Sequence, residues 1–254
     1  ADQQRLVGNR EGLLIEEQRT NLFKYSQDFS TLWTLGNSTT IQQDVEKAPD
    51  GTQTGALLES LASSQYVGQN TEIIAGQKYS ISFWVKSAGL GNDKFRLFIN
   101  SSILSSEFVA TGEWQRFEAT LTAGTSSNVT KSGITRSVNA DPFGFYIWGA
   151  QLEQASTPSS YIKTEGTQVT RAADNCSRTL GAEFNQSIGR FIVLAKAPIG
   201  ETIIQAGSLS IVSDSDDEKE YDVSYSSDLS ATNITILPSG SGIIKSLYYM
   251  PEAS

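Results

Sequence analysis

The sequence contains no histidine, one cysteine and one methionine among its 254 residues. Without histidine, the chain cannot form a Ser-His-Asp or Cys-His nucleophile, and it offers no imidazole ligand for zinc or iron. The lone Cys176 excludes an internal disulfide framework. Neither of the usual glycine-rich phosphate-binding spacings occurs, so nucleotide-driven chemistry has no recognisable motif. Of the common catalytic chemistries, those that depend on carboxylates remain.

Long apolar runs and basic clusters are also missing. No stretch approaches 18 consecutive apolar residues, and the chain does not open with a signal-peptide pattern, so we expect no membrane insertion. The 28 acidic residues outnumber the 19 basic ones and give a net charge of -9. Because phosphate binding depends on clustered Lys and Arg, this balance disfavours nucleic acid as a partner.

The chain instead consists of short runs in which apolar and polar residues alternate, separated by Gly, Pro and Asp turn signals. In the run KYSISFWVKS, residues 78–87, Trp84 is the apolar exception on an otherwise polar outer side. The inward positions of several such runs are predicted to form the interior of one sandwich: Phe83, Val85, Leu97, Ile99, Phe117, Leu121, Phe145 and Ile147. Since the helical stretches of a parallel α/β fold are missing, the sequence predicts an all-β protein built on a jelly-roll β-sandwich.

The densest apolar run, residues 143–153, is apolar on both faces at its start, which predicts a strand covered on both sides. A polar tail around Pro158 follows, and we expect it to lie over the sandwich edge. Further on, shorter runs interrupted by Gly, Pro and acidic residues predict a second, smaller β domain. The predicted domains are an N-terminal arm with an opening strand (1–21), a jelly roll with its exit tail (22–177) and a small β domain (178–254).

Two segments resemble a known family. Residues 12–22 (GLLIEEQRTNL) and 148–174 (WGAQLEQASTPSSYIKTEGTQVTRAAD) are similar to the opening and closing segments of a lectin-like, carbohydrate-binding-module-like jelly roll that recurs in tailed-bacteriophage virion proteins. Residues 184–187 (FNQS) and 244–249 (IKSLYY) resemble the start and end of the concanavalin-like domain that often follows it. The chain begins with Ala and lacks the sequence that usually precedes this module, so we expect a piece of a longer assembly protein.

This resemblance implies a structural protein of the virion, which decorates the capsid or tail and has other virion proteins and host-surface glycans as partners. It also implies a homo-oligomer, with a trimer favoured by similarity to phage fibre and decoration proteins. Several copies would compensate for the weak sugar affinity of one small sandwich. Two alternatives stay open: a carboxylate-dependent glycan hydrolase such as a capsule depolymerase, and a secreted bacterial polysaccharide-binding module.

Aromatic and polar residues on outward strand positions form the candidate glycan-binding face. Sugars have flat apolar faces that stack on aromatic rings, while neighbouring polar groups bind their hydroxyls. The candidates for lining one concave sheet are Trp84, Arg96, Phe98, Arg116, Tyr146 and Trp148. The alternative is structural: Tyr146 and Trp148 pack beneath the N-terminal strand or the Pro158 tail, and Trp84 covers the sandwich edge or meets another subunit.

A structural calcium ion is a further implication of the resemblance. Sandwich carbohydrate-binding modules often hold calcium between their first and last strands, and Asp28 and Glu153 lie at positions that resemble those ligand regions. Their carboxylate oxygens suit calcium. The alternative is that both are ordinary surface carboxylates. We expect no other cofactor.

The hydrolase alternative has one candidate motif. Glu220-Tyr221-Asp222 resembles part of the Glu-x-Asp-x-x-Glu strand motif of laminarinase-like enzymes, which act through two carboxylates, but the closing Glu is absent. The simpler interpretation is that the acidic run from Asp214 to Glu220 is a solvated hairpin end. We therefore expect no catalytic activity.

Overall fold

The computed structural model describes residues 13–36, 39–60, 66–91, 93–125, 128–136, 143–181, 184–185, 187–197, 199–200, 202–215, 217–225, 229, 231, 233–236 and 242–251. In chain order its strands are β1 (Leu13–Ile15), β2 (Arg19–Asn21), β3 (Trp33–Leu35), β4 (Thr39–Glu46), β5 (Gly55–Ser60), β6 (Tyr66–Ile73), β7 (Lys78–Ser87), β8 (Lys94–Ile99), β9 (Ile103–Leu104), β10 (Phe108–Val109), β11 (Gln115–Thr122), β12 (Asn128–Arg136), β13 (Phe143–Glu153), β14 (Val169–Arg171), β15 (Cys176–Thr179), β16 (Gly189–Lys196), β17 (Thr202–Ala206), β18 (Leu209–Val212), β19 (Lys219–Tyr225), β20 (Asn233–Ile236) and β21 (Gly242–Pro251). Within these ranges, no helix has the length and apolarity that a membrane crossing requires. The predicted all-β fold class is confirmed.

The strands group into two compact units. The first, which we call the sandwich unit, spans Arg19–Arg171. The second, the terminal unit, joins the described residues up to Gln18 to those from Ala172 onward, since β1 pairs with β21. The sequence predicted boundaries after residues 21 and 177, whereas the compact units divide at 18/19 and 171/172.

Two antiparallel sheets form the sandwich unit. The six-stranded sheet has the order β10-β8-β12-β6-β3, with β9 also paired to β8, and the five-stranded sheet has the order β11-β7-β13-β5-β4. A short ribbon pairs β2 with β14. Buried side chains from both sheets meet in one hydrophobic cluster. Each sheet therefore has one face on this core and a second, outer face.

Strand alternation places most of the predicted interior residues in this core. Phe83, Val85, Leu97, Ile99, Phe145 and Ile147 are buried, as the sequence predicts. Phe117 and Leu121 are only partly buried because they lie on β11, an edge strand of the five-stranded sheet. The ring of Phe83 has its centroid 6.0 Å from those of Phe23 and Trp33. Removing each such ring from water stabilises the fold by about 1.5–3 kcal/mol.

The outer face of the five-stranded sheet is covered by residues 154–165, which we call the exit tail. The Ser80 hydroxyl on β7 donates to Ala155 O in this tail, at 3.1 Å. Ser80 and Ser82 are both buried. The alternation of β7 predicts that these serines face solvent, and the tail was expected at the sandwich edge. In the structure these serines are buried instead, because hydroxyl groups on the sheet donate to backbone carbonyls of the tail, which therefore lies over the face.

Asn21 joins the two segments that resemble the phage module. Its Nδ2 donates to Ala150 O at 3.0 Å and to Ile162 O at 2.9 Å. Its Oδ1 accepts hydrogen bonds from Phe23 N and Leu152 N, both at 3.1 Å. The buried amide thus makes four hydrogen bonds, which tie β2, β13 and the exit tail together. We call this arrangement the Asn21 junction; Gly12, at the start of the first segment, lies outside the described residues.

The terminal unit is a second, smaller β-sandwich. Its sheets have the orders β1-β21-β16-β19 and β15-β20-β17-β18. Phe191, Val193 and Ile204 are fully buried in its own core cluster. The two segments that resemble a concanavalin-like domain meet here, because Asn185 N donates to Tyr249 Oη at 2.8 Å. Gln186, within the first of these segments, lies outside the described residues.

Candidate functional site

The six candidate glycan-binding residues lie on two different outer faces. Trp84, Arg116, Tyr146 and Trp148 are on the five-stranded sheet, whereas Arg96 and Phe98 are on β8 of the six-stranded sheet. Because the core separates the two sheets, the six do not line one concave surface, contrary to the expectation from sequence. Period-two alternation shows which side chains point outward, but it does not show which strands share a sheet.

On the five-stranded sheet, Arg116, Trp84 and Trp148 lie side by side across three strands. The exit tail engages two of them. Trp148 is 3% exposed, and its ring centroid lies 4.7 Å from that of Tyr161 in the tail. Nη2 of Arg116 donates to Ser159 O at 2.7 Å. For Trp148, the structure therefore shows the structural alternative, in which the ring packs beneath the tail.

At the other end of this face, outward side chains contact the end of β4 and the residue that follows it. Lys86 Nζ lies 5.8 Å from the ring centroid of the half-buried Tyr146 and 2.8 Å from Glu46 Oε1. Nearby, Trp114 Nε1 donates to Lys47 O at 2.8 Å. The exit tail thus covers one part of this face, and at the other end Trp114 and Lys86 bind the end of β4 and Lys47.

The outer face of the six-stranded sheet contains a cavity of about 230 Å³, which we call the Tyr66–Phe98 pocket. It is lined by Tyr66, Phe98, Ser101, Leu104, Lys131 and Thr135. Phe98 is 4% exposed, and Tyr66 stands nearly perpendicular to it, with ring centroids 6.0 Å apart and an interplanar angle of 84°. Edge-to-face pairs of this kind give aromatic rings a defined orientation.

Two opposed glycines make room for the Phe98 ring. Gly68 on β6 lies opposite Gly133 on β12, which in turn lies opposite Phe98 on β8. A Cβ atom added at Gly68 would lie 3.0 Å from Phe98 Cζ, and one at Gly133 would lie 2.8 Å from Gly68 Cα. The ring therefore extends from β8 across β12 to β6, which is possible because these two residues have no side chains.

Cationic and hydroxyl groups surround the two rings. Lys131 Nζ lies 5.7 Å from the Tyr66 ring centroid, within the range of a cation–π interaction. Arg96 lies in the same cross-strand row as Thr135 and Tyr66. Ser101 adds a second hydroxyl at the pocket wall. Oriented rings beside donors and acceptors can stack on a sugar ring and bind its hydroxyls.

Tyr66 and Lys131 lie on β6 and β12, two strands that the sequence pattern did not predict. A signal was present, because the buried Val67 and Ile73 have the period-two spacing of one strand face. Glycines and polar residues fill most of the other positions of these strands and weaken the apolar alternation. An aromatic residue at an outward position two residues before a glycine, Tyr66 before Gly68, is the feature that could have identified the pocket from the sequence.

A second cavity of the sandwich unit, of about 460 Å³, has a largely polar lining, and we call it the Asp28 pocket. It is lined by Tyr25, Gln27, Asp28, Ser30, Gln43, Asp44, Thr54, Thr164 and Glu165. Oδ1 of Asp28 accepts hydrogen bonds from Ser30 N at 2.8 Å and Ser30 Oγ at 2.5 Å. Partial burial raises the pKa of Asp28, but hydrogen bonds from Ser30 and Thr31 outweigh it and hold this pKa below its ordinary value.

Glu153, the second candidate calcium ligand, lies elsewhere and is 1% exposed. Its carboxylate accepts hydrogen bonds from Ser159 N at 2.9 Å and Ser159 Oγ at 2.5 Å, and Arg19 Nε lies 3.9 Å away. This carboxylate is therefore not a surface group, and it helps to hold the exit tail. Among the described residues, no group of three or more His, Cys, Asp or Glu side chains is placed to hold a metal ion. Calcium binding stays a prediction.

The carboxylates of the hydrolase motif lie on β19 in the terminal unit. Arg190 forms a two-point contact with the Asp222 carboxylate, in which Nε donates to Oδ1 at 2.5 Å. These hydrogen bonds hold the pKa of Asp222 below its ordinary value. Glu220 is exposed, and Lys219 Nζ pairs with Asp214 Oδ2 at 2.6 Å. Exposed, paired carboxylates of this kind are typical of the solvated hairpin end that the sequence favours.

No protein-family model matches the sequence, and no curated protein matches it. Solved structures of limited similarity include the CBM22-1–GH10 modules of Clostridium thermocellum endo-1,4-beta-D-xylanase 10B complexed with xylohexaose. This match has 20% identity and a TM-score of 0.39, and it covers 58% of this chain and 30% of that chain. The C-terminal family 22 carbohydrate-binding module of Clostridium thermocellum Xyn10B matches at 13% identity and a TM-score of 0.42, over 55% of this chain and 98% of the module. The tandem CBM22-1–CBM22-2 domain of Paenibacillus barcinonensis Xyn10C matches at 8% identity and a TM-score of 0.37, over 97% and 100%.

Proposed function

We propose that the sandwich unit is a non-catalytic module that binds glycans in the Tyr66–Phe98 pocket. The observation that supports this function is the half-buried Tyr66 ring, which stands perpendicular to the buried Phe98 ring and is accompanied by Lys131 and Arg96 on the outer face of the six-stranded sheet. The pocket volume of about 230 Å³ lies below the roughly 300–1,000 Å³ typical of sites that enclose a ligand. The pocket therefore suits one sugar ring of a longer chain, stacked at the surface.

This geometry has a consequence for affinity and assembly. A shallow stacking site buries few ligand atoms, so the affinity of one copy is low, and useful adhesion needs several copies held together. The protein thus acts as a homo-oligomer in this proposal, and the trimer number comes from the resemblance to phage fibre and decoration proteins. Equilibrium sedimentation tests it: trimers of the isolated chain are expected, and a monomer at all concentrations would contradict self-association in solution.

The proposed setting is the surface of a tailed-phage virion, on the capsid or the tail, with other virion proteins as partners. Residues 12–22 and 148–174 support this setting by their resemblance, and their described parts meet at the Asn21 junction. Mass spectrometry of purified particles is the direct test. Detection of the protein at a fixed stoichiometry is expected, whereas its presence only in the culture medium would favour the secreted polysaccharide-binding module.

The binding site is tested by titrating ¹⁵N-labelled protein with a panel of host-envelope and plant oligosaccharides that includes xylohexaose. Amide shifts are expected around the Tyr66–Phe98 pocket. Tyr66→Ala should weaken binding about tenfold, because a ring contact of roughly 0.5–1.5 kcal/mol and its buried area are both lost. Tyr146→Ala is the matched control, since it removes a half-buried tyrosine that also lies below a lysine. Equal loss in both variants would exclude the pocket.

The hydrolase alternative is tested on the same ligands. No steady release of reducing ends is expected from the purified protein, because the exposed Asp222 is paired with Arg190. Release of reducing ends that is abolished by Glu220→Gln, or by Asp28→Asn in the Asp28 pocket, would overturn the non-catalytic assignment.

A further inference from the structure

We propose that the Tyr66–Phe98 pocket selects acidic glycans, in which the bound sugar residue carries one carboxylate, as in a hexuronic acid. This inference rests on the glycan-binding function proposed for the pocket and deepens it, because it names the chemical class of the sugar. It depends on Lys131, a half-buried lysine that lines the pocket together with the two aromatic rings.

Lys131 differs from its counterpart on the other sheet in having no carboxylate partner. Among the lysines whose side chains the structure describes, Lys86 and Lys131 are the two that are half-buried, and each lies over a tyrosine ring. Lys86 Nζ also lies 2.8 Å from Glu46 Oε1. Lys131 Nζ forms no ion pair within the part of the chain that the structure describes. Because a partly buried charge is normally paired, a ligand carboxylate is the partner that this ammonium group lacks.

The strand register shows that Lys131 extends toward the pocket. Tyr66 lies opposite Thr135, four residues from Lys131 along β12. In the other direction, Glu72 lies opposite Val129, only two residues from Lys131. Because the ammonium group reaches to 5.7 Å from the Tyr66 ring centroid, the side chain has turned along the sheet toward the ring and away from Glu72. Its positive charge is therefore placed at the pocket although a carboxylate lies nearer along the strand.

The pocket wall beside Lys131 is held by hydrogen bonds within the protein. Ser101 Oγ shares a hydrogen bond of 2.6 Å with Thr130 Oγ1 and accepts one from Lys131 N at 3.3 Å. Ser101 N in turn donates to Lys131 O at 2.8 Å. Among the described lining residues, Lys131 is the single charged one, so its ammonium group is the charged group that a bound sugar meets. A wall that is fixed before the ligand binds lowers the entropic cost of binding.

The acidity of the whole chain does not prevent this site from binding an anion. The net charge of -9 is spread over 254 residues. At physiological ionic strength, interactions between exposed charges decay over about 8 Å, so a bound sugar responds mainly to the charges at the pocket. These are Lys131 and, in the cross-strand row of Tyr66 and Thr135, Arg96. An ammonium group in contact with a carboxylate forms a charge-assisted hydrogen bond, which is stronger than one between neutral groups.

A lone ammonium group favours a carboxylate over a phosphate. Phosphate sites usually combine several donors, such as arginine forks or clustered backbone N–H groups, to match a charge of roughly -1.5 to -2. Here the described lining contributes one lysine, and Nη1 of Arg96 already donates to Ser105 O at 3.3 Å. The exposed Leu104 and the Tyr66 ring can contact the apolar face of the same sugar. A hexuronic acid presents both features, one negative charge and one apolar face.

The test titrates the full ¹⁵N-labelled chain with methyl β-D-glucuronide, its methyl ester, methyl β-D-glucoside and D-glucose 6-phosphate. Amide shifts are followed around Tyr66, Ser101 and Lys131. The glucuronide should bind about two- to fivefold more tightly than the ester and the glucoside, as expected for a partly exposed ion pair. This preference should shrink in about 0.5 M NaCl, which screens the charges. Equal affinity of the glucuronide and its ester would overturn the proposal, and tighter binding of the phosphate would overturn the choice of a carboxylate.

Variants then assign the preference to Lys131. The quantity measured is the ratio of the glucuronide affinity to the ester affinity. Lys131→Gln should lower this ratio to about one, because the ion pair is lost, whereas Lys131→Arg keeps the charge and should preserve the preference. Lys86→Gln is the matched control, since it removes the other half-buried lysine that lies over a tyrosine, and it should leave the ratio unchanged. A ratio that stays high in Lys131→Gln would also overturn the proposal.

The same titrations separate this proposal from the glycan-binding function on which it rests. Equal affinities of the glucuronide, its ester and the glucoside, with amide shifts at the pocket, would leave glycan binding intact and exclude the selection of acidic sugars. Absence of pocket shifts with the glucuronide and with every oligosaccharide of the panel would instead overturn the glycan-binding function, and the selection of acidic sugars with it.

Discussion

Each outer face of the sandwich unit contains a tyrosine with a lysine over its ring, but the surroundings of the two pairs differ. Tyr66 has Lys131 Nζ 5.7 Å from its ring centroid on the six-stranded sheet, and Tyr146 has Lys86 Nζ at 5.8 Å on the five-stranded sheet. The face of Tyr66 contains a pocket, whereas on the sheet of Tyr146 the outward Arg116 binds the exit tail and Trp114 binds Lys47 O. The local pair therefore does not decide whether a face can bind a ligand.

The neighbours of each pair make the difference. On the five-stranded sheet, Ser80 and Arg116 bind backbone carbonyls of the exit tail, and Trp148 packs against its Tyr161. On the six-stranded sheet, the opposed Gly68 and Gly133 have no side chain with which to bind a covering segment. They let the Phe98 ring lie over β6 instead. The five-stranded sheet thus presents side chains that bind a covering segment, whereas the six-stranded sheet presents the half-buried Tyr66 and Lys131 at the wall of a pocket.

The largest effect is expected in the core that supports both faces. Phe83→Ala should destabilise the sandwich unit by about 3–5 kcal/mol, because it leaves a cavity among Phe23, Phe29 and Trp33. Urea unfolding followed by tryptophan fluorescence measures the loss. Leu104→Ala, at an exposed position, is the control. A change within about 0.5 kcal/mol for Phe83→Ala would show that the inward and outward faces of β7 are reversed.

The covered face depends on the Asn21 junction. Asn21→Ala should cost about 3 kcal/mol, because it leaves buried backbone groups of β13 and the exit tail without partners. Hydrogen exchange should then show faster exchange at Thr164 than at core amides of the six-stranded sheet. Thr20→Ala, on the same strand, is the control and should change stability by less than about 0.5 kcal/mol. Uniform loss of protection on both faces would contradict a local role for the junction.

The open face depends on its glycines. Gly133→Ala should destabilise the protein by about 1–3 kcal/mol, because the new methyl group would overlap Val67 O and the Gly68 backbone. Glycan binding should weaken with it, since the Phe98 ring loses its place. Gly112→Ala, where a Cβ atom would meet nothing within 4 Å, provides the matched control. Equal stability of the two variants would mean that close approach of β6 and β12 is not required.

The smallest effect concerns the charge of Asp28 beside the covered face. Hydrogen bonds hold its pKa below the ordinary value of 3.8, so its ionised form stabilises the folded state. This contribution is present above pH 3.8 and is lost as the pH falls through the lowered pKa. Because the group is only partly buried, solvent screens its interactions, and the difference between wild type and Asp28→Asn should be under about 0.5 kcal/mol. Unfolding at neutral and strongly acidic pH measures it, and a difference that grows on acidification would contradict this sign.

Strand alternation predicted much of the core but not the arrangement of the sheets. Phe83, Leu97 and Ile147 were identified as interior residues because period-two spacing reports directly on the two sides of a strand. The strands of Tyr66 and Lys131 were not predicted, because they contain glycine and polar residues at most outward positions. Ser82 was predicted to face solvent, since a serine gives no indication that a distant segment will cover it.

The sequence by itself determined the all-β class, the inward faces of the core strands and the absence of histidine chemistry, because these properties depend on composition and on spacing between near neighbours. Only the tertiary structure decided which outward residues share a surface, which depends on strand order. It placed Phe98 with Tyr66, on β8 and β6 of one sheet, and it put Trp148 beneath the exit tail. Strand order is set by contacts between residues far apart in the chain, such as those of Asn21 with residues 150–162, and local periodicity contains no information about them.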